Sequence, residues 1–381
     1  MLDHKTGIKK IIEKRVSQGN NYLEILKSIY GADPREVWEI FKEYKDETSK
    51  KIKLINLYPE YPEPHPAYSQ WRITPNSTKI LLSIILEKNY ENVCFLGAPI
   101  LGIEFSKIKK NKATIMDIDK DIIGYAKNFA KTIIYDINNS IPEKERNKFE
   151  CVICDPPWYN KDIQHFIKRA TELTKLGGTI YLTLPGILTK PSIINERLKL
   201  QKLLSKIGLV ITELQPIVEY EVPPFEYMAY QDIPTFSGEI WRMGNWIKLK
   251  KCKNYGINNS TTNSSQKWIE YSFGKKRIFL KDKKEKEEYK KPKLSSLCPG
   301  NILKSVSKRN SLISKIDVWT SRNAIFHIDQ GIGVIKTIIK NIKKNEDKII
   351  QTISKKYNLD IKKVNLECKD SIKKLKELIK I

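Results

Sequence analysis

The chain has 381 residues, and its hydrophobic content of 40% and charged content of 30% are typical of a globular protein with a full core. No apolar run reaches the roughly 18–20 residues that span a bilayer, which excludes a membrane-spanning helix. Residues 1–7 lack the apolar core of a signal peptide. We therefore expect a cytoplasmic protein with no membrane partner.

The net charge of +25 favours polyanionic partners, above all DNA or RNA. Most of the basic residues are Lys. Arg binds phosphate groups and base edges more specifically than Lys does. A Lys-rich surface that is merely solvated is therefore the alternative, and a protein partner is also left open. The CxxC pair Cys151 and Cys154 lies inside an apolar run with no second Cys/His pair at zinc spacing, so we predict core thiols and no metal site.

The N-terminal 50 residues predict a small helical domain. Apolar residues recur at helical spacing through 8–46, which indicates two or three short helices. Asp33 and Pro34 supply a cap and a first-turn proline for the third. This domain is either helix-turn-helix-like or a simple packing appendage.

Residues 51–75 change character and predict an extended linker. The stretch from Tyr58 to Pro66 is rich in proline and aromatic residues and cannot be helical. Trp71 and Arg72, close to the end of this segment, are candidates to close over a bound substrate or cofactor. Packing against the following domain is the alternative for both side chains.

Residues 76–253 predict a doubly wound, mostly parallel α/β sheet. After a helix at 77–87, strand and helix patterns alternate, as expected for parallel strands joined by crossovers. The predicted strands are 93–96, 114–116, 132–135, 149–154, 179–184 and 209–214. The segment 238–249 then predicts a β-hairpin that turns at Gly244 and Asn245.

The remaining chain predicts a polar and charged linker over 254–293 and a basic α+β domain over 294–381. The linker carries a polar run at 254–266 and a charge run at 281–293. Strand-like segments at 316–320 and 324–328 precede Lys-rich helices over 331–381. The second domain therefore differs in class from the parallel sheet before it.

Polar residues follow four of the predicted strands directly: Gly97, Asp117, Asp136 and Asp155. A doubly wound sheet brings such strand ends to one edge, where ligands bind. Asp155 is followed by Pro156, Pro157 and Trp158, and neither proline can continue a strand. A carboxylate beside a flat aromatic suits a planar ring that bears an NH2 group, whereas a proline-rich turn is the alternative.

Together these strand ends resemble the class I S-adenosylmethionine-dependent methyltransferases. The Asp-Pro-Pro-Trp run resembles the catalytic motif of amino-methyltransferases that act on adenine N6 or cytosine N4. The resemblance implies that the cofactor is S-adenosylmethionine. Gly97 and Gly102 would let the backbone approach its methionine part. Asp117 (or Asp119) would bind its ribose hydroxyls, and Asp136 would bind its adenine amine. The loop Gly97-Ala-Pro-Ile-Leu-Gly102 departs from the Gly-x-Gly spacing of that family.

The same resemblance implies a catalytic role for Asp155 to Trp158. Asp155 and the carbonyl of Pro156 would accept hydrogen bonds from the target NH2 and align its lone pair with the methyl group. Trp158 would stack on the target ring, with Tyr159 as a second contact. The expected activity is methyl transfer to an exocyclic amine, adenine N6 of a nucleic acid in the first place, and a base within a duplex must then be flipped out.

Two alternatives stay open. The run from Tyr135 to Pro142, followed by 149–157, also resembles the branched-chain polyamine synthases, which transfer an aminopropyl group from decarboxylated S-adenosylmethionine. That family has a Gly-Asp-Asp-Asp run where this chain has Gly97-Ala-Pro-Ile, so we rank aminopropyl transfer second. The third hypothesis is a scaffold of the same fold that binds nucleic acid or protein without a cofactor.

Overall fold

The computed structural model describes residues 4–29, 31–45, 56–254, 267–283 and 288–380. The chain forms two compact units. The first comprises Met1–Tyr61, Trp71–Val222 and Asp232–Asn263, and the second comprises Pro62–Gln70, Pro223–Gln231 and Ser264–Ile381. Among the described residues, no helix combines the length and the apolar character that crossing a membrane requires.

Three short N-terminal helices confirm the helical prediction: α1 His4–Ser17, α2 Tyr22–Ser28 and α3 Pro34–Phe41. Asn21 caps α2 in a reciprocal arrangement with Glu24, and Asp33 caps α3 ahead of Pro34. These helices belong to the same compact unit as the large sheet, which corrects the prediction of a separate domain over 1–50.

The first unit is built around an eight-stranded sheet with helices between the strands. Its elements in chain order are β1 Arg72–Ile73, α4 Pro75–Leu86, β2 Val93–Leu96, α5 Pro99–Ile108, β3 Ala113–Asp117, α6 Lys120–Ala126, β4 Lys131–Ile134, β5 Phe149–Cys154, α7 Asn160–Leu173, β6 Thr174–Pro185, α8 Ile193–Lys206, β7 Leu209–Glu221 and β8 Met243–Lys251. A helix of six residues, α9 Pro224–Ala229, follows β7 and belongs to the second unit.

The strand order β1-β7-β8-β6-β5-β2-β3-β4 confirms the predicted doubly wound sheet. The five strands from β4 through β6 are parallel, and β8 runs antiparallel to both β6 and β7. Strands such as β2 and β5 contribute side chains to two apolar clusters, one on each face of the sheet. These strands are therefore buried on both sides, as parallel strands usually are.

The predicted hairpin at Gly244 and Asn245 is wrong, because β8 runs straight through both residues. Gly244 pairs with Pro185 and Asn245 with Leu184, so the segment lies in the interior of the sheet. A Cβ at Gly244 would lie 2.8 Å from the Leu184 carbonyl oxygen and 2.8 Å from Cζ2 of Trp158. The glycine therefore marks a close approach of the strand to its neighbours and not a turn.

The described parts of both predicted linkers are packed structure. In the first, Tyr58, Tyr61 and Ile73 are buried in the core of the first unit, whereas residues 62–70 belong to the second unit. In the second, β9 Trp268–Phe273 and β10 Lys276–Lys281 pair as a hairpin around Gly274. The proline and charge patterns that predicted linkers did not reveal the aromatic and aliphatic side chains that bury these segments. Residues 255–266 and 284–287 of the second linker lie outside the described residues.

The second unit is an α+β unit, as predicted for the C-terminal region. Its antiparallel sheet has the order β11-β13-β12-β10-β9, with β11 Lys293–Ser295, β12 Val318–Thr320 and β13 Ile325–Gln330. The helices that follow are α10 Ile332–Lys340, α11 Glu346–Tyr357 and α12 Ile361–Lys380. The apolar faces of these helices share one core with the sheet.

Candidate functional site

The four predicted strand ends lie side by side at one edge of the parallel sheet. Three backbone hydrogen bonds continue the ladder beyond the strands, from Asp155 N to Leu96 O (3.3 Å), from Gly97 N to Met116 O (2.9 Å) and from Tyr135 N to Asp117 O (2.8 Å). The strand order reverses between β2 and β5, so Gly97 and Asp155 stand at the switch point where open α/β sheets bind ligands. The convergence expected from the sequence is confirmed.

Asp155 is held by hydroxyl groups from two other strands. Its Oδ1 accepts a hydrogen bond from Thr183 on β6 (2.5 Å) and one from Tyr220 on β7 (2.7 Å). Burial raises the pKa of Asp155 to about 6, against the two hydrogen bonds and the positive charge of Arg242, which lower it. Among the described residues both of these bonds end on Oδ1, which leaves Oδ2 as the oxygen available to an incoming donor.

The two prolines after Asp155 form a tight turn into α7. The carbonyl of Pro157 accepts a hydrogen bond from the backbone N–H of Tyr159 (2.8 Å), and Tyr159 precedes the first residue of α7. Within the described part of the chain, no hydrogen bond to the Pro156 carbonyl is found. The joint action of that carbonyl and Asp155 on an incoming amine stays a prediction.

Trp158 and Trp71 enclose the guanidinium group of Arg242. The Cζ atom of Arg242 lies 4.2 Å from the ring centroid of Trp158 and 4.2 Å from that of Trp71. Trp241 packs edge-on against Trp71 at 5.7 Å. The guanidinium thus contacts two aromatic rings, and each contact is a cation–π interaction.

The environment of Trp158 limits its predicted role in stacking. Its side chain is 6% exposed, and Tyr220 packs edge-on against its ring at 5.2 Å. One ring face already contacts Arg242, and the backbone of Gly244 approaches the six-membered ring. Stacking of Trp158 on a substrate stays a prediction, whereas its support of Arg242 and Tyr220 is a structural fact.

The carboxylates of β3 and β4 are engaged in their own loops. Oδ1 of Asp117 accepts from the N–H of Asp119 (2.9 Å), and Oδ1 of Asp136 accepts from the N–H of Asn138 (2.9 Å). Asp119 is 2% exposed and caps α6 through the N–H groups of Asp121 and Ile122. The roles of Asp117 and Asp136 toward ribose and adenine stay predictions, and capping explains Asp119 without a ligand.

Different physical constraints explain why glycine occupies positions 97 and 102. Gly97 has φ +67°, and a Cβ there would lie 2.6 Å from Cε1 of Phe166. Gly102 lies on α5, where a Cβ would lie 2.8 Å from Cγ1 of Ile115 and 2.9 Å from Cγ of Phe95. Gly102 therefore lets α5 pack closely on the sheet, and its contact with the cofactor stays a prediction.

The structure separates the two substrate candidates of the former linker. Trp71 joins the site through its contact with Arg242. Arg72 stands opposite Glu221 in the pairing of β1 with β7, and its guanidinium lies 5.7 Å from the ring centroid of Tyr61. Burial raises the pKa of Glu221, and the charge of Arg72 opposes that shift. A role of Arg72 in packing and charge balance is thus visible in the structure, whereas substrate contact stays a prediction.

Thr183, Tyr220 and Arg242 were missed by the sequence reasoning. Thr183 falls in a correctly predicted strand, but nothing in its neighbourhood distinguishes a hydroxyl that faces a carboxylate. Tyr220 lies near the end of β7, whose predicted length stopped six residues earlier. Arg242 lay in the segment predicted as a hairpin, so only the pairing of β8 with β6 and β7 reveals its position.

Comparisons with known proteins agree with this fold. A family model described as the branched-chain polyamine synthase A C-terminal domain matches residues 51–291. Two crystal structures of branched-chain polyamine synthase from Thermus thermophilus, one of them a C9 mutein, were determined in complex with N4-aminopropylspermidine and 5'-methylthioadenosine. Both superpose on this chain with a TM-score of 0.52 at 17% sequence identity. Each match covers 68% of this chain, together with 96% of the mutein chain and 97% of the other synthase chain.

A curated relative covers a shorter stretch. An uncharacterized protein from Methanocaldococcus jannaschii is 31% identical over 113 residues. That stretch is 28% of this chain and 28% of the relative, so this chain spans only about a quarter of the curated protein that it matches. The name of that relative states no activity.

Proposed function

The chain belongs to the family of the branched-chain polyamine synthase A C-terminal domain, and we propose that it transfers an alkyl group from an S-adenosylmethionine-type cofactor to an amine at Asp155. The group proposed first is the aminopropyl group of decarboxylated S-adenosylmethionine. The observation that carries this proposal is the match over residues 51–291, which include all four strand ends and Asp155. Family membership thus reverses the order in which the sequence placed methyl and aminopropyl transfer.

The residues at the strand ends fit a cofactor of this type by their chemistry. Carboxylates at two adjacent strand ends, Asp117 and Asp136, suit ribose hydroxyls and an adenine amine as hydrogen-bond donors. The loop from Gly97 to Gly102 contains no charged residue, and Pro99 at the start of α5 has no N–H. This loop itself offers no cation for a methionine carboxylate, which favours the decarboxylated form. The cofactor would supply the alkyl group on a sulfonium centre.

Asp155 would act on the amine that receives the alkyl group. Its Oδ2 and the Pro156 carbonyl would accept the amine hydrogens and direct the nitrogen lone pair, so that the rate gain comes from alignment. Thr183 and Tyr220 hold Oδ1 and thereby fix the plane of the carboxylate. A pKa of about 6 keeps Asp155 mainly ionised at neutral pH and able to accept a proton from the alkylated amine.

Transfer of a labelled group tests this proposal. Purified protein is incubated with decarboxylated S-adenosylmethionine that carries a labelled aminopropyl group, and with spermidine, spermine and shorter diamines as acceptors. We expect a labelled, elongated amine together with 5'-methylthioadenosine, and Asp155→Asn should abolish both. Glu143→Gln is the matched control, because the side chain of Glu143 is 90% exposed on another loop. The absence of any labelled product with every amine would contradict the proposal.

Methyl transfer to an exocyclic amine such as adenine N6 is the second candidate. The observation in its favour is the charge of the site, since Gly97-Ala-Pro-Ile is uncharged where polyamine synthases carry acids, and Arg242 adds a positive charge beside Asp155. Both features disfavour a polycationic acceptor. Calorimetric titration with S-adenosylmethionine and with its decarboxylated form separates the two candidates. Binding of neither form would favour the cofactor-free scaffold.

A nucleic-acid partner is proposed for the second unit. Residues 264–381 contain 30 Lys and Arg against 13 Asp and Glu, which gives +17 of the total charge of +25. Helix α12 exposes Lys362, Lys363, Lys369 and Lys373. Binding of RNA and DNA oligonucleotides is measured by fluorescence anisotropy at two salt concentrations. We expect affinity to fall steeply with salt and to be lost when these four lysines become Glu. An affinity that changes neither with salt concentration nor with the four substitutions would contradict this proposal.

A further inference from the structure

The segment that carries Arg242 is held by the N-terminal helices. We call residues 232–243 the arginine segment. Ile233, Phe236 and Trp241 in this segment are buried, and the carbonyl of Arg242 accepts a hydrogen bond from the N–H of Tyr220 (3.0 Å). The end of the arginine segment is therefore bonded to β7, the strand whose Tyr220 also donates a hydrogen bond to Asp155.

An ion pair fixes the beginning of the arginine segment. Nη1 and Nη2 of Arg35, in the first turn of α3, each lie 2.8 Å from one carboxylate oxygen of Asp232. This bidentate geometry constrains direction as well as distance. Asp232 is the first residue of the last stretch of the first unit, so this ion pair joins α3 to the beginning of the arginine segment.

A close backbone approach fixes the end of the arginine segment. Gly31, in the turn between α2 and α3, has φ +77°, and a Cβ there would lie 3.1 Å from the carbonyl oxygen of Met243. The same Cβ would lie 3.0 Å from Oγ1 of Thr189. The turn therefore touches the residue that follows Arg242 directly, with no space for a larger side chain.

We propose that the three N-terminal helices position the candidate site, because they hold both ends of the arginine segment and so keep Arg242 between Trp71 and Trp158, beside Asp155. This inference rests on the proposed function, in which Asp155 receives the amine. The helices lie outside residues 51–291, so the family match does not account for them. Arg35 and Gly31 are positioning residues in this account, since they act on Asp155 only through Arg242.

The electrostatics at Asp155 give this arrangement a measurable consequence. The groups that act on the pKa of Asp155 are the hydroxyls of Thr183 and Tyr220 and the guanidinium of Arg242, and Asp155 in turn raises the pKa of the preceding Cys154. Of these, Arg242 carries the positive charge that lowers the pKa of Asp155. Displacing Arg242 from its two aromatic contacts removes this effect, and the pKa of Asp155 then rises.

Two glycines provide a matched test. Gly31→Ala and Gly19→Ala both place a Cβ on a backbone of positive φ, +77° and +84°, in the same helical module. A Cβ at Gly19 meets no atom within 4 Å, whereas that of Gly31 meets Met243. The titration of Asp155 is followed by carbon NMR of the labelled carboxyl group, without substrate. We expect the pKa of Asp155 to rise by about half a unit in Gly31→Ala and to stay at the wild-type value in Gly19→Ala.

A second pair of variants keeps the test decisive if Gly31→Ala fails to fold. Arg35→Ala breaks the ion pair to Asp232, and Lys9→Ala breaks the exposed pair to Glu43 in the same module. Arg35→Ala should raise the pKa of Asp155, Arg35→Lys should restore it in part, and Lys9→Ala should not change it. Equal titration of Asp155 in all these variants would overturn the proposal, as would an unchanged pKa in Arg242→Ala. If the titration shifts as expected but no amine is alkylated, the positioning stands and the proposed function falls.

Discussion

The strand end of β5 and those of β3 and β4 have the same pattern in the sequence but different chemistry in the fold. Asp155 is bound through Oδ1 by Thr183 and Tyr220, which are 28 and 65 residues away along the chain. Asp117 and Asp136 bind backbone N–H groups only two residues away. The first carboxylate is therefore fixed by the tertiary structure, and the other two also shape their own loops.

This difference has consequences for function. A carboxylate that is bound by hydroxyl groups of two other strands keeps one orientation, and burial raises its pKa, as suits an acceptor for a reacting amine. A carboxylate that holds a local turn needs no alignment to a reacting atom, so the predicted roles of Asp117 and Asp136 are in binding a ribose or an adenine ring. We therefore expect substitutions at β5 to change catalysis and those at β3 and β4 to change binding or stability.

The largest effect is expected for catalysis in Asp155→Asn. The amide retains an oxygen that accepts from Thr183 and Tyr220, but it presents an NH2 group where the incoming amine needs an acceptor. We expect kcat/KM for amine alkylation to fall by about 10³-fold, with cofactor affinity unchanged. Steady-state kinetics and calorimetry measure the two quantities. Asp117→Asn should instead weaken cofactor binding. If the two variants change the kinetics and the cofactor affinity in the same way, the proposed difference between the strand ends is wrong.

The same Asp155→Asn substitution should stabilise the fold at high pH. The folded-state pKa of about 6 lies above the ordinary value of 3.8, so the folded state favours the protonated acid and loses stability as pH rises through about 6. At pH 8 the neutral Asn should raise the free energy of unfolding by up to about 3 kcal/mol, and at pH 3 the two proteins should be equally stable. Urea unfolding at both pH values provides the measurement. A difference that does not depend on pH would contradict the raised pKa.

A smaller effect is expected for Tyr220→Phe. This substitution removes one hydrogen bond to Oδ1 of Asp155, and because that bond lowers the pKa, the pKa of Asp155 should rise by about one unit. Activity at pH 6 should then fall about fivefold, because the ionised fraction of Asp155 drops, whereas at pH 8 it should stay close to the wild-type value. The pH profile of kcat/KM measures this shift. Tyr135→Phe is the control, because the Tyr135 hydroxyl donates to the carbonyl of Asn139 and not to a carboxylate.

The fold was largely predictable because buried parallel strands leave a clear signal. Residues 93–96 and 149–154 were assigned correctly to the residue, since each is a short apolar run that ends in Gly or Asp. The segments that were predicted wrongly contain glycine, proline or charge for reasons other than turns. Gly244 avoids a collision inside β8, and the aromatic residues near Tyr58 bury a segment whose prolines exclude a helix.

The candidate site was predictable only in part. The edge of the sheet and its four polar strand ends follow from strand order, because parallel strands point their carboxyl ends the same way. The partners of Asp155 do not follow from any local pattern, since Thr183, Tyr220 and Arg242 approach it through the antiparallel pairing of β8 with β6 and β7. The distinction between an Asp that distant strands hold and an Asp that binds only its own loop therefore required the tertiary structure.

The smallest effect separates Asp119 from its neighbour Asp117. Asp119 accepts the first N–H groups of α6 and is 2% exposed, so Asp119→Ala should lower the free energy of unfolding by about 1 kcal/mol. Asp119→Asn retains a capping oxygen and serves as the control, with a loss of only a few tenths of a kcal/mol. If Asp117 alone contacts the ribose, calorimetry should show unchanged cofactor affinity in Asp119→Asn and weaker binding in Asp117→Asn. Weaker cofactor binding in Asp119→Asn without loss of stability would instead assign the ribose contact to Asp119, and both carboxylates near the end of β3 would then belong to the binding site.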